Sequence, residues 1–246
     1  MKKSNSNVIL ILLFVCVSAG VFLMQFLLFH KPGDTVFYFL QDMAFLPVQV
    51  AIVTIVLGKM ISNREKRQKM KKTNMAISAF FSEAGTAMIT GLLKFYRNPE
   101  EIRAELNISG QWTDSDFKNA VKLAKNNKFD IGCTVENLRE IKTILTEKRD
   151  FMLIMLENPN LLEHDTFSDM LWAVFHLTDE LIARENIENL PEPDINHLAS
   201  DAKRALDNIL VQWINHMKHL KSDYPYLFSL EVRRSPFNEK NGVVIE

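Results

Sequence analysis

The 246-residue chain has only two cysteines, Cys16 inside an apolar run and Cys133 far along the polar part. Neither has a partner at a metal-ligand spacing and no disulfide framework can be built from them, which fits a reducing compartment for the polar part. Glycine is also sparse. None of the eight glycines sits in a phosphate loop or a dinucleotide-binding pattern, and there is no kinase signature, so the common nucleotide-dependent enzymes are disfavoured. Proline is missing between Pro47 and Pro99, which leaves a long stretch of helix formers uninterrupted. Alternating apolar and polar segments bounded by turns are missing as well, which argues against a sheet. The fold class read from the sequence is all-α.

What the chain does have is apolar length near its start. Two runs, 8–29 and 36–61, are separated by a short polar turn. The first follows Lys2 and Lys3, as a secretory signal would, but it exceeds the ~7–15 apolar residues of such a signal, and His30-Lys31-Pro32 offers no small-residue cleavage site. It reads as an uncleaved anchor. The second run is interrupted by Gln41, Asp42, Pro47 and Gln49, yet at ~1.5 Å per residue it is long enough for a ~30 Å hydrocarbon core. Together they predict a two-helix transmembrane hairpin in the plasma (inner) membrane.

Charge sets the orientation. Lys59, Arg64, Lys66, Arg67, Lys69, Lys71 and Lys72 follow the second run with one acid, Glu65, among them, whereas Lys31 stands alone in the turn. The positive-inside rule then places both termini in the cytoplasm. The same collar can bind anionic lipid headgroups. From Thr73 onward there are 19 basic and 27 acidic residues, 19 − 27 = −8, so the polar part would repel a nucleic-acid backbone. Membrane lipids are the expected partners, together with a protein partner and, through the spans, a second copy of the chain.

Polar groups inside the runs are costly and call for a reason. By rise per residue, Gln25 lies ~6 Å and Asp42 ~9 Å from the outer end of its helix, so the two can meet across the hairpin. Gln49, seven residues after Asp42, extends a seam on nearly the same face. Packing or oligomerisation is the ordinary role of such a seam. Ion or proton transfer at Asp42 is the alternative, and two helices per chain would need an oligomer or partner to enclose a path.

Beyond the runs, the periodicity predicts a basic juxtamembrane helix continuing the second span over 63–97, a helical bundle over 98–230 and a polar tail over 231–246. Asn98-Pro99-Glu100-Glu101 has the form of a helix start, with Glu101 reaching back to the cap, and Thr113 to Asp116 opens another helix. Apolar stripes mark helices from Val135 to Glu157, from Asp165 or Thr166 to about Arg184, and from Ile195, behind an Asp194 cap, to about Leu220.

Candidate chemistry is thin. Helical bundles can hold metal with Glu-x-x-His motifs, and that motif is absent. His176 and Glu180 share a helix face and are the weak metal candidates, with Glu83 and His216 as further donors; an ordinary hydrogen bond is the plainer explanation. Asp194 to His197 and His216 to His219 approximate the motif without matching it. Cys133 stands after Gly132 just before a predicted helix, a place that can activate a thiol, but no histidine is near in sequence. No cofactor is called for and no catalytic residue is assigned. Tyr224, Tyr226 and Phe228 lie close together beside Pro225 and form either a closing segment for the bundle or a docking strip.

Four stretches carry a resemblance: Phe45 to Gln49 with Arg64-Glu65-Lys66, Phe80-Phe81-Ser82-Glu83, Trp172 to Leu177, and Tyr224 to Pro236. Together they resemble a family of uncharacterised prokaryotic two-span membrane proteins with a helical cytoplasmic domain. The resemblance implies a shared architecture over most of the chain after the first run and transfers no activity. The resulting expectation is a membrane-anchored interaction, signalling or scaffold module. A membrane-associated enzyme or metal protein, and an accessory subunit of a transport complex, are the rivals.

Overall fold

A computed structural model of the chain describes residues 2–29, 32–126, 131–162 and 164–238. Lys31 and positions 239–246 of the tail lie outside them, as do the side chains of Lys2 and Lys3. The described residues are all-α, apart from one isolated bridge between Tyr96 and Ile131. Two compact units are present, Met1–Lys66 and Arg67–Glu246.

The first unit holds α1 (Lys2–Phe29) and the opening of α2 (Pro32–Phe80). Its two helices touch through an edge-on pair, Phe22 and Phe39, with ring centroids 6.1 Å apart. Phe22 and Gln25, one turn apart, are the partly buried residues of α1 among those described. Every described side chain of α2 as far as Lys66 is exposed. Asp42 is among them. Pro47 sits inside α2 without ending it. By length and composition, one helix among the described residues qualifies as a membrane span, the one that includes Val36 onward; the apolar segment described in α1 is the shorter Leu12–Leu28.

The chain passes into the second unit within α2 and stays helical to Leu93, but not as the unbroken α-helix the sequence suggests. A π-helical turn, Phe81–Gly85, interrupts it before α3 (Thr86–Leu93). Both the Thr86 amide and its Oγ1 donate to the Phe81 carbonyl, five residues back, which stabilises the wide turn. Phe80 and Phe81 are both buried on either side of its start.

The remaining helices are α4 (Pro99–Leu106), α5 (Asp114–Lys125), α6 (Val135–Leu156), the short α7 (Pro159–Leu162), α8 (Asp165–Ala183), α9 (Glu192–Asp223) and α10 (Pro225–Arg234). Their starts follow local chemistry. Thr113 and Asp116 form a reciprocal capping box on α5, and Thr134 Oγ1 accepts from Asn137 on α6. At α4 the box is replaced: Asn98 Nδ2 donates to Glu101 Oε1 at 2.6 Å, and the Asn98 side chain caps no amide. At α8 the cap is neither of the expected Asp165 or Thr166 but His164, whose Nδ1 accepts from the Phe167 amide.

α9 is the central element, packed against α3, α5, α8 and α10, while α6 lies against α3 and α8. Its inward face carries Leu198, Ala205, Ile209, Trp213 and Met217, all buried. Full burial of each large apolar side chain stabilises by about 1.5–3 kcal/mol before the entropy of ordering is subtracted. Phe237, placed by the sequence reading in a polar tail, packs on Trp213 at 4.8 Å instead. The tail therefore begins inside the core.

Candidate functional site

The seam between α8 and α9 gathers several ionisable side chains around a buried carboxylate, Asp201. On α8, His176 and Glu180 stand one turn apart, and Arg184, the residue just past the C-terminal end of the helix, follows four residues later. On α9, His197 and Asp201 repeat the same four-residue spacing, so both pairs face the seam.

Asp201 is the inner group, with its side chain 2% exposed. Its Oδ2 lies 3.2 Å from His176 Nε2 and 3.4 Å from His197 Nε2, but accepts no hydrogen bond from either. Its Oδ1 faces Arg204 Nη1 at 3.3 Å. The two imidazoles are half exposed, so the cluster is a polar funnel with a buried carboxylate at its base.

A second set braces the end of the seam. Arg184 donates from Nε and Nη2 to both oxygens of Asp194, at 2.7 and 2.6 Å, and from Nη1 to Glu180 Oε2 at 2.7 Å. Lys142 of α6 donates to the Arg184 carbonyl. The Arg184 hydrogen bonds hold the Glu180 and Asp194 carboxyls below their ordinary range. The Arg184 guanidinium is correspondingly held more firmly protonated, chiefly by Asp194. Asp194 is therefore no helix cap: α9 starts earlier, at Glu192, and Asp194 in its first turn accepts the guanidinium fork of Arg184. Glu180 Oε2 is 3.8 Å from His197 Nε2, at the edge of the funnel.

The other sequence candidates are distributed elsewhere. His216 is buried, stacked on Phe81 with centroids 5.1 Å apart, and lines a small cleft of about 140 Å³ with Asn74, His164, Gln212 and His219. Desolvation pulls its pKa down to about 4, so it is a neutral imidazole at pH 7. Glu83 is exposed on the π turn. Cys133 is half buried, and that burial pushes its thiol up to about 11, the opposite of an activated nucleophile. Of the aromatic strip, Phe228 is buried, Tyr224 is partly so and Tyr226 is 71% exposed, which divides the strip rather than presenting it as one surface. Gln49 and the basic residues Lys59, Arg64, Lys66, Arg67, Lys69, Lys71 and Lys72 are all exposed along α2.

Sequence reasoning found His176 and Glu180 and named His197 only within an imperfect motif. Asp201 it missed. The signal was present as a second four-residue pair, His197 and Asp201, but pairing it with α8 requires the tertiary contact.

Comparison with known proteins agrees with this two-part organisation. A protein of Methanocaldococcus jannaschii described as Uncharacterized protein MJ1433 is 36% identical over 246 residues, covering 100% of this chain and 99% of its own. No solved structure matches the chain. Residues 2–61 match the family described as the MJ1433 N-terminal helical domain, and residues 69–233 match the MJ1433 C-terminal helical domain. The chain belongs to the MJ1433 family.

Proposed function

We propose that the protein is a membrane-anchored helical module that works by interaction. In this reading α1 and the start of α2 form a two-span hairpin in the plasma membrane, with both ends of the chain in the cytoplasm. The supporting observation is the exposure of the first unit. Side chains such as Leu13, Phe14, Leu40, Leu46, Ile52 and Ile55 are between 55% and 69% exposed, an apolar surface that water would penalise and lipid would not. Pro47 within α2 suits the same setting, since proline is more frequent in membrane helices than in soluble ones. The collar from Lys59 to Lys72 supports the inside orientation and contact with anionic headgroups. Because helix continues without a loop from the hairpin into the second unit, association of the spans is passed to the bundle along α2, where a second copy or a protein partner is recognised.

Topology is the direct test. In a background with Cys16→Ser and Cys133→Ser, the variants Ser4→Cys, Asp34→Cys and Asn63→Cys are exposed to a membrane-impermeant maleimide on intact cells. Asp34→Cys is labelled at once and the other two only after lysis. Labelling of all three before lysis, or of Asn63→Cys alone, contradicts the hairpin.

A further inference from the structure

We propose that His176, His197 and Asp201 form a binding site for a single divalent first-row transition-metal ion, of the Zn²⁺ or Fe²⁺ type. This assignment rests on α8 and α9 alone and is independent of the membrane reading.

The three side chains can each present one donor atom, and those atoms lie within 4.8 Å of one another. Ligands bonded at ~2.0–2.1 Å to a tetrahedral ion sit about 3.3 Å apart. The separations from Asp201 Oδ2 to the two Nε2 atoms, 3.2 and 3.4 Å, match that edge. The imidazoles are 47% and 51% exposed, so their rings have room to turn the remaining distance toward a shared ion.

The second observation is the state of Asp201. A carboxylate oxygen buried without a hydrogen bond is costly, and Oδ2 is such an atom, aimed between the two imidazoles. Arg204 faces the other oxygen, Oδ1, and thereby leaves Oδ2 for the ion. A cation at the mouth of the funnel would remove the penalty that an unpartnered oxygen imposes.

The donor types select the class of ion. Two imidazole nitrogens and one carboxylate suit Zn²⁺ or Fe²⁺, whereas Mg²⁺ and Ca²⁺ prefer all-oxygen shells. Glu180 stays with Arg184 as an outer group beside His197, and water completes the coordination from the exposed side.

The test uses the full chain in detergent, with any affinity tag removed and metal stripped by chelator, titrated calorimetrically with ZnCl₂ alone. One equivalent binds with a Kd of about 1 µM or tighter. His176→Ala and His197→Ala, both at half-exposed positions, each weaken binding at least ~10-fold, since loss of even a group that only supports a ligand costs ~10–100-fold. Asp201→Asn, which keeps the shape of the side chain, does the same, and CoCl₂ gives a visible ligand-field band in the parent that the double histidine variant lacks. No saturable binding below ~100 µM, or unchanged affinity in the double histidine variant, overturns the proposal.

Discussion

Gly85 closes the π turn at a point where a single methyl group decides between two opposing effects. Its backbone lies in the ordinary helical region, φ −60° and ψ −41°, so Gly85→Ala carries no backbone strain. Helix propensity alone favours alanine by ~1 kcal/mol. Against that, a Cβ at this position would stand 2.5 Å from Phe81 Cδ1 and 2.9 Å from Phe80 Cε1. Neither ring can retreat: Phe80 is edge-on to both Phe81 and Phe167 at 5.2 and 5.3 Å, and Phe81 is stacked on His216. Overpacking of such a core costs ~1–3 kcal/mol, and contact with two boxed rings belongs in the upper part of that range. The net expectation is a loss of about 1–2 kcal/mol, seen as a fall in Tm of roughly 3–6 °C by calorimetry in mild detergent. Gly91→Ala is the control. Its Cβ would meet only the terminal methyl groups of Ile144 and Ile141, at 2.9 and 3.1 Å, which can swing aside. Stability there should stay within ~1 kcal/mol of the parent. A Gly85→Ala protein as stable as the parent, or a Gly91→Ala protein that falls as far, refutes the packing argument.

Three further outcomes follow from the same structure. His216 has a folded pKa of about 4, below the ~6.5 of an unfolded histidine, so its contribution is fully present above pH 6.5 and is lost as the pH falls toward 4. Urea unfolding of the parent should lose about 2–3 kcal/mol more than His216→Phe over that window; parallel pH profiles would count against a neutral buried imidazole. Thr113→Ala removes the capping box of α5 and should cost ~1 kcal/mol of stability in denaturant titration, a value near zero showing that the cap is dispensable. In a Cys16→Ser background, Cys133, with its thiol held near 11, should react with iodoacetamide at pH 8 about 100-fold more slowly in the folded protein than in urea; equal rates would contradict its burial.

Helix existence was legible because periodicity is a local property. The stripe of α6 and the Thr113 cap of α5 are read directly from spacing and residue type. What failed turned on side-chain partners that residue type and spacing do not name. Asp194 looks like a cap until Arg184, ten residues earlier, is seen to occupy both its oxygens. His164 looks incidental beside Asp165, yet its ring nitrogen is the acceptor that faces Phe167. The π turn left no sequence trace beyond adjacent Phe80 and Phe81, both of which are buried where it begins. Phe237 was assigned to a tail because its neighbours are polar, and only Trp213 shows why it is buried. The candidate site was half visible for the same reason: each helix shows one four-residue pair, and the cluster exists only where α8 meets α9.

Alkaline carbonate extraction of isolated membranes tests most directly whether lipid covers the exposed apolar surface of the first unit. The full chain should stay with the membrane pellet at pH 11, whereas a chain beginning at Arg67 should be released to the supernatant. Release of the full chain under the same treatment would contradict membrane insertion and the function built on it.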